Sequence, residues 1–359
     1  MIDPRAFAGL LCEWCLQVEA GQQVLVGTTT LAQPLVRALH AELLTRAAWP
    51  LLRIAPPELA VDFYRHATEE QLDGFAPLEL TEVTDANAVL RIDAPNNTRA
   101  LAGVDPRLLA RAARARAPVQ EARLARRWCG TLWPTAALAQ QAGMDQHDYE
   151  AFIERALFLD RTDPLAAWRA LSARQSALVE RLSSAREIRI EAAGTDLRLN
   201  VAGRTWINSD ARRNMPSGEV FTGPWEDSAT GTIRFDVTAS TRGVEVSGVE
   251  LRFERGAVVA ASARRGQEYL DAALATDAGS RFLGELGIGT NAGIDRPTGH
   301  VLLDEKMAGT VHLALGRSYP ETGGVNSSAL HWDLICDLRS GGAIAVDGEP
   351  LALERMSET

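Results

Sequence analysis

The period of hydrophobic and polar positions changes part-way along the chain. In the first half, short apolar runs alternate with stretches whose apolar residues recur every three or four positions. QQVLVGTT (22–29), WPLLRIA (49–55) and AVLRIDAP (88–95) read as strands. LAQPLVRALHAELLTRA (31–47), EEQLDGFAPLEL (69–80) and VDPRLLARAARARA (104–117) read as helices, and Pro106 suits the first turn of the last. Strand and helix alternating at this spacing predict an α/β domain with a mostly parallel sheet. The latter part of 131–157 and the stretch 163–185 continue the helical pattern. From residue 186 the period becomes two, in REIRIEAAGTDLRLNVAGRTWIN (186–208), TGTIRFDVTAS (230–240) and VEVSGVELRFERGAVVAASA (244–263). That alternation predicts an α+β domain with a largely antiparallel sheet and a few helices, such as QEYLDAALAT (267–276). The shift places a domain boundary between 1–185 and 186–359.

Composition narrows the function classes. A chain of 359 residues suits two domains, and 46% hydrophobic with 23% charged residues is a globular balance. A formal net charge of −10 argues against a nucleic-acid binder. The one basic stretch, RLLARAARARAPVQEARLARR (107–127), has helical spacing and no interleaved aromatics, so it reads as a solvated helix face. No apolar run approaches the roughly 18 residues a membrane span needs, and the N-terminus does not read as a signal peptide. A cytoplasmic protein without membrane partners is expected. Cys12 and Cys15 form C-E-W-C, but no second pair follows, and Cys129 and Cys336 stand in apolar surroundings. A structural role in a reducing compartment fits all four. The turn after the first strand, VGTTT, lacks a dinucleotide-binding glycine fingerprint. H-E-x-x-H and G-x-S-x-G are also absent.

The candidate chemistry lies between residues 214 and 338. On a strand, residues two apart share a face. HWDLICD (331–337) therefore sets His331, Asp333 and Asp337 opposite an apolar face of Trp332, Leu334 and Cys336. In GTVHLALG (309–316), His312 shares its face with Thr310, Ala314 and Gly316, small neighbours that leave room beside the imidazole. Glu219 and Glu285 each follow a glycine, and Glu285 heads a strand in which Gly287 and Gly289 alternate with Leu286 and Ile288. A carboxylate there is costly to bury without a cationic partner. Arginine salt bridges are the plain alternative, since the only lysine of the chain is Lys306. From the residues alone, the reading reaches a mixed Glu/His/Asp metal site as one option.

Taken in order, VDPRLLARAARARAP, LWPTAALAQQAGMDQHDYEAF, NMPSGEVFTGP, GELGIGTN, DEKMAGTVHLALGRSYPETGG and HWDL resemble the thermophilic metallo-aminopeptidase family of the aminopeptidase T and aminopeptidase S type. The similarity runs almost end to end. Carried over one at a time, the family's metal ligands fall on Glu219, Glu285, His312, Tyr319, His331 and Asp333. The resemblance implies hydrolysis of the N-terminal peptide bond of short peptides. Three carboxylates, two imidazoles and a phenol suit two divalent cations per chain rather than one, with zinc, cobalt and manganese all compatible. Glu285 is the expected bridge between them. Tyr319 is expected to ligate loosely and to stabilise the oxyanion. Glu219 could double as general base, or the non-ligand Glu305 could serve, with Glu305 and Lys306 more readily seen as supports behind the ligands. A homodimer is implied, with the N-terminal domain walling the active-site cavity. The chain departs from the family in being shorter and in a trimmed segment from Tyr319 to His331, which puts specificity in question. Competing readings are another dimetal dipeptidase or amidase, and a catalytically silent homodimer that binds metal or peptide.

Overall fold

The computed structural model describes residues 2–241 and 244–352. It divides into two compact units, one of residues 1–165 with 211–216 and the other of 166–210 with 217–359.

The first unit is built on a wholly parallel sheet. Its strands run in the order Trp49–Ala55, Gln23–Thr29, Ala88–Asp93, Arg127–Leu132, closed by the short strand Asn214–Met215. Parallel neighbours require crossover connections, and helices such as Gln33–Thr45 supply them. The 69–80 stretch forms two short helices, Glu69–Leu72 and Pro77–Asp85, because Gly74 and Pro77 interrupt the pattern. The basic stretch forms Pro106–Ala115 and Ala117–Leu124, and its last residue, Arg127, already begins a strand. The C-E-W-C pair lies in the π-helical turn Leu11–Cys15, where both cysteines are buried and free.

The second unit stacks two antiparallel sheets around one hydrophobic core. A seven-stranded sheet contributes Ile188, Ile190, Leu197, Leu251 and Phe253. A five-stranded sheet, in the order His331–Asp337, Thr310–Gly316, Leu283–Gly289, Glu219–Thr222, Ile207–Ser209, contributes Leu286, Ile288, Val311, Leu313, Trp332 and Leu334. Every residue of its central strands Leu283–Gly289 and Thr310–Gly316 is buried. The helix Pro164–Leu182 buries a stripe of Trp168, Leu171, Gln175, Leu178 and Leu182. Among the described residues, no helix is long and apolar enough to cross a membrane.

Leu286, Leu313 and Leu334 pair in register across three adjacent strands and are almost fully buried. Leu313→Ala is expected to destabilise the second unit by about 2–5 kcal/mol through lost transfer energy and a residual cavity. Denaturant unfolding of that unit measures the cost, and a midpoint shift equivalent to less than about 1 kcal/mol contradicts this packing.

Candidate metal centre

The five-stranded sheet has one apolar face, and its register assembles the other. Leu286, Ile288, Val311, Leu313, Leu315, Trp332 and Leu334 point into the core. Period two then puts Glu219, Glu285, His312, His331 and Asp333 together on the opposite face. Ala314 pairs with Glu285 on one side and Asp333 on the other, so a methyl group separates the two carboxylate positions. Gly287 pairs with both His312 and Phe221, and Gly316 pairs with His331. The small residues of this face are the space the polar groups occupy.

Two glycines in Leu283–Gly289 have specific reasons. A Cβ on Gly287 would collide with the His312 ring. Gly284 sits where the register shifts between Leu283 and Glu285, and a Cβ there would meet the Arg317 carbonyl. This irregularity sets Glu285 against the histidines.

The side chains converge closely. His312 Nε2 lies 3.3 Å from Glu219 Oε2 and 3.4 Å from Glu285 Oε1. His331 Nε2 lies 3.5 Å from Glu285 Oε2 and 3.7 Å from Asp333 Oδ2. Two triads of ligand-type atoms result, Glu219/Glu285/His312 and Glu285/His331/Asp333, each with its atoms within 4.8 Å of one another. Glu285 belongs to both. A third triad, Glu305/His312/Asp333, brings Glu305 into the same cluster. Tyr319 packs edge-on against the His331 ring at 5.1 Å between centroids, with Phe221 behind it at 5.7 Å. Asp337, on the same face by sequence, is instead held by Arg339 at 2.6 Å.

Hydrogen bonds orient these groups. His331 Nδ1 lies 2.8 Å from the Arg317 carbonyl and donates to it, which aims Nε2 at Glu285 and Asp333. Lys306 is buried and donates to Glu219 Oε1 at 2.6 Å and also to Glu305. Gln175 projects from the apolar stripe of its helix and is only 1% exposed. Its Nε2 donates to the Glu219 carbonyl at 2.6 Å and to Asn208 Oδ1 at 2.8 Å, fixing the strand that carries Glu219. Neither Gln175 nor the Arg317 carbonyl belongs to the sequence motifs of the site. A glutamine within an apolar helical stripe was a readable signal, whereas a backbone acceptor leaves none.

The electrostatics are those of a negatively overcharged pocket. Among the described residues, no arginine lies within ion-pair distance of Glu219, Glu285, Glu305 or Asp333, so Lys306 and the two histidines are the cations set against four carboxylates. Burial lifts Glu305 and Asp333 above the ordinary carboxylate range, despite the cations beside them. Burial opposes charge on His312, yet the hydrogen bond to Glu285 and the charges of Glu219, Glu285 and Asp333 hold it up at about 9. Burial likewise opposes charge on Lys306, which Glu219 and Glu305 nevertheless keep well above the usual lysine value. Burial, joined by the charges of Glu285 and Asp333, raises the Tyr319 phenol. The pocket favours positive charge wherever a group can carry it.

The donors fit a metal ion. Glu219 Oε2 and His312 Nδ1 are buried without a hydrogen-bond partner, although buried polar atoms are nearly always satisfied. A divalent cation would answer the unpaired carboxylate oxygen and the surplus charge together.

The model of the family described as thermophilic metalloprotease (M29) matches residues 4–351. The chain belongs to that family. As a thermophilic metalloprotease family member, it is 31% identical to aminopeptidase 2 of Geobacillus stearothermophilus, across 96% of this chain and 94% of that protein. It is also 31% identical to aminopeptidase T of Thermus thermophilus, across 85% and 82% of the two chains. The solved structure of wild-type AmpT from Thermus thermophilus superposes with a TM-score of 0.84 at 26% identity, covering 97% of this chain and 96% of that one. The motif resemblance is borne out, as are the parallel first sheet and the antiparallel second unit.

Gly287→Ala forces the new methyl against the His312 ring and is expected to cost about 1–3 kcal/mol through overpacking. An unchanged unfolding midpoint contradicts the close approach of the two strands at this point.

Proposed function

We propose that this member of the metalloprotease family is an aminopeptidase that hydrolyses the N-terminal peptide bond of short peptides with two divalent cations. Glu219, Glu285 and His312 would hold one ion, and Glu285, His331 and Asp333 the other. The observation that carries this reading is the position of Glu285. Its two oxygens face different histidines, Oε1 toward His312 and Oε2 toward His331, as a bridging carboxylate requires. Zinc, cobalt and manganese all suit this mixture of carboxylate oxygen and imidazole nitrogen. Bound there, the cations would supply Lewis acidity, polarising the scissile carbonyl and acidifying water.

The chain's own residues have separable tasks. Lys306 occupies Glu219 Oε1 and leaves Oε2 for the ion, so Glu219 acts as a ligand. Both Glu219 oxygens being committed, Glu305 is the better placed carboxylate to take a proton from the attacking water. Arg317, through its carbonyl, keeps His331 Nε2 aimed inward. Tyr319 holds its proton in this field and can donate it as a hydrogen bond to a developing oxyanion. A cavity of about 310 Å³ opens beside His331 and Asp333, with Val237, Val301, Leu330 and Ile335 in its walls. It gives a peptide terminus room next to the ligating groups, and its aliphatic walls favour an apolar first side chain. A homodimer in the cytoplasm completes the proposal; four free, buried cysteines accord with a reducing compartment.

Glu285→Gln and His331→Ala should each lower turnover of an aminoacyl p-nitroanilide by at least about 100-fold, the equivalent of ~2.7 kcal/mol. Bound divalent metal should fall with the fold retained. The N-acetylated substrate should not be cleaved, whereas a longer peptide with a free amine should be. Full activity after exhaustive chelation contradicts the metal assignment. Cleavage confined to dipeptides, or unaffected by N-acetylation, favours a dipeptidase or amidase instead.

A further inference from the structure

The first unit holds a second cluster of charge. In its parallel sheet the chain crosses one way from Gln23–Thr29 to Trp49–Ala55, then the other way to Ala88–Asp93 and Arg127–Leu132. A cavity of about 690 Å³ lies between the face of this sheet and the helices Pro77–Asp85 and Ala117–Leu124. Arg53, Gly27 and Arg91 sit in register on three adjacent strands and form its floor. A Cβ placed on Gly27 meets nothing within 4 Å, so the floor between the two arginines is open space.

Four arginines line the cavity, and only two have acidic partners. Arg53 pairs with Glu82, Nε to Oε2 at 2.9 Å, and Arg116 pairs with Glu79. Among the described residues, Arg91 and Arg123 have no carboxylate within ion-pair distance. Arg123 contacts Gln120 Oε1 at 3.2 Å and lies 4.8 Å over the Trp128 ring. Burial, with the charge of Arg91 added, holds its guanidinium below the ordinary arginine value. Arg91 is exposed and Arg123 half-buried, so the two leave positive charge at the cavity mouth that an anion can join. Leu25, Val83 and Val89 provide the apolar wall.

We propose that this cavity binds a small organic anion, its carboxylate or phosphate held by Arg91 and Arg123 and its apolar portion lying over Gly27 against Leu25, Val83 and Val89. Guanidinium forks match both oxyanions, and the glycine floor admits a body that any larger side chain would displace. The metal-centre reading is not needed for this assignment.

Calorimetric titration of the full chain with 4-methylpentanoate and n-butyl phosphate tests it, with 4-methylpentanamide as the uncharged analogue. At least one anion should bind saturably, and the amide should not. Arg91→Ala combined with Arg123→Ala should weaken that binding at least about tenfold. Gly27→Leu, which fills the floor between Arg53 and Arg91 while keeping every guanidinium group, should do the same. Glu285→Gln should leave the titration unchanged, separating this site from the metal centre. The tighter of the two anions identifies the oxyanion preferred. The proposal is overturned if neither anion binds at about 10 mM, if the amide binds as well as the acid, if both arginine and glycine variants bind normally, or if Glu285→Gln alone abolishes binding.

Discussion

Four carboxylates gathered near one ammonium group, on the polar face of a sheet whose central strands are wholly buried, are the constraint to which the rest of the second unit answers. Glu219 and Glu285 are buried, Glu305 and Asp333 keep only a little exposure, and an unpaired buried carboxylate costs on the order of several kcal/mol. Lys306 offsets part of that, reaching Glu219 and Glu305 at once. The imidazoles of His312 and His331 are pulled toward their charged forms by the same field. A fold that keeps such a surplus stores a demand for positive charge. This demand separates a built ion site from a set of surface salt bridges.

The sheet meets the demand through its two-residue period. Its core face is continuous aliphatic and aromatic packing, so the strands cannot slip by one residue without exchanging Leu286, Leu313 and Leu334 for Glu285, His312 and Asp333. Stability of the core and geometry of the polar cluster are therefore set by one register. The opposite face is kept narrow by Gly287, Ala314 and Gly316, and the irregularity at Gly284 aims Glu285 between the histidines. Gln175 ties a helix to the backbone at Glu219 and gives the cluster a support outside the sheet.

Much of this was legible in the sequence, and the exceptions have physical causes. The alternation in HWDLICD predicts which residues face inward, and the glycines of LGELGIG mark a strand closely approached by another group. Those local patterns place His331, Asp333, His312 and Glu285 on polar faces but do not bring separate strands together; the family motifs supplied that. Asp337 shares the predicted face, yet an arginine two residues on claims it. The strand Arg127–Leu132 was hidden because Arg-rich residues run into it from the preceding helix, so local propensity carried the helical pattern too far. The meeting of Glu305 with His312 and Asp333 has no local signature at all, since it follows from the turn between Asp304 and Thr310.

Anomalous diffraction from crystals of the metal-replete protein, collected at the absorption edges of zinc, cobalt and manganese, tests the central claim most directly. Two peaks are predicted, roughly 3.5–4 Å apart, with Glu285 touching both, Glu219 and His312 at one, and His331 and Asp333 at the other. No peak at these side chains, or a single ion with Glu285 turned to an arginine, would contradict the account.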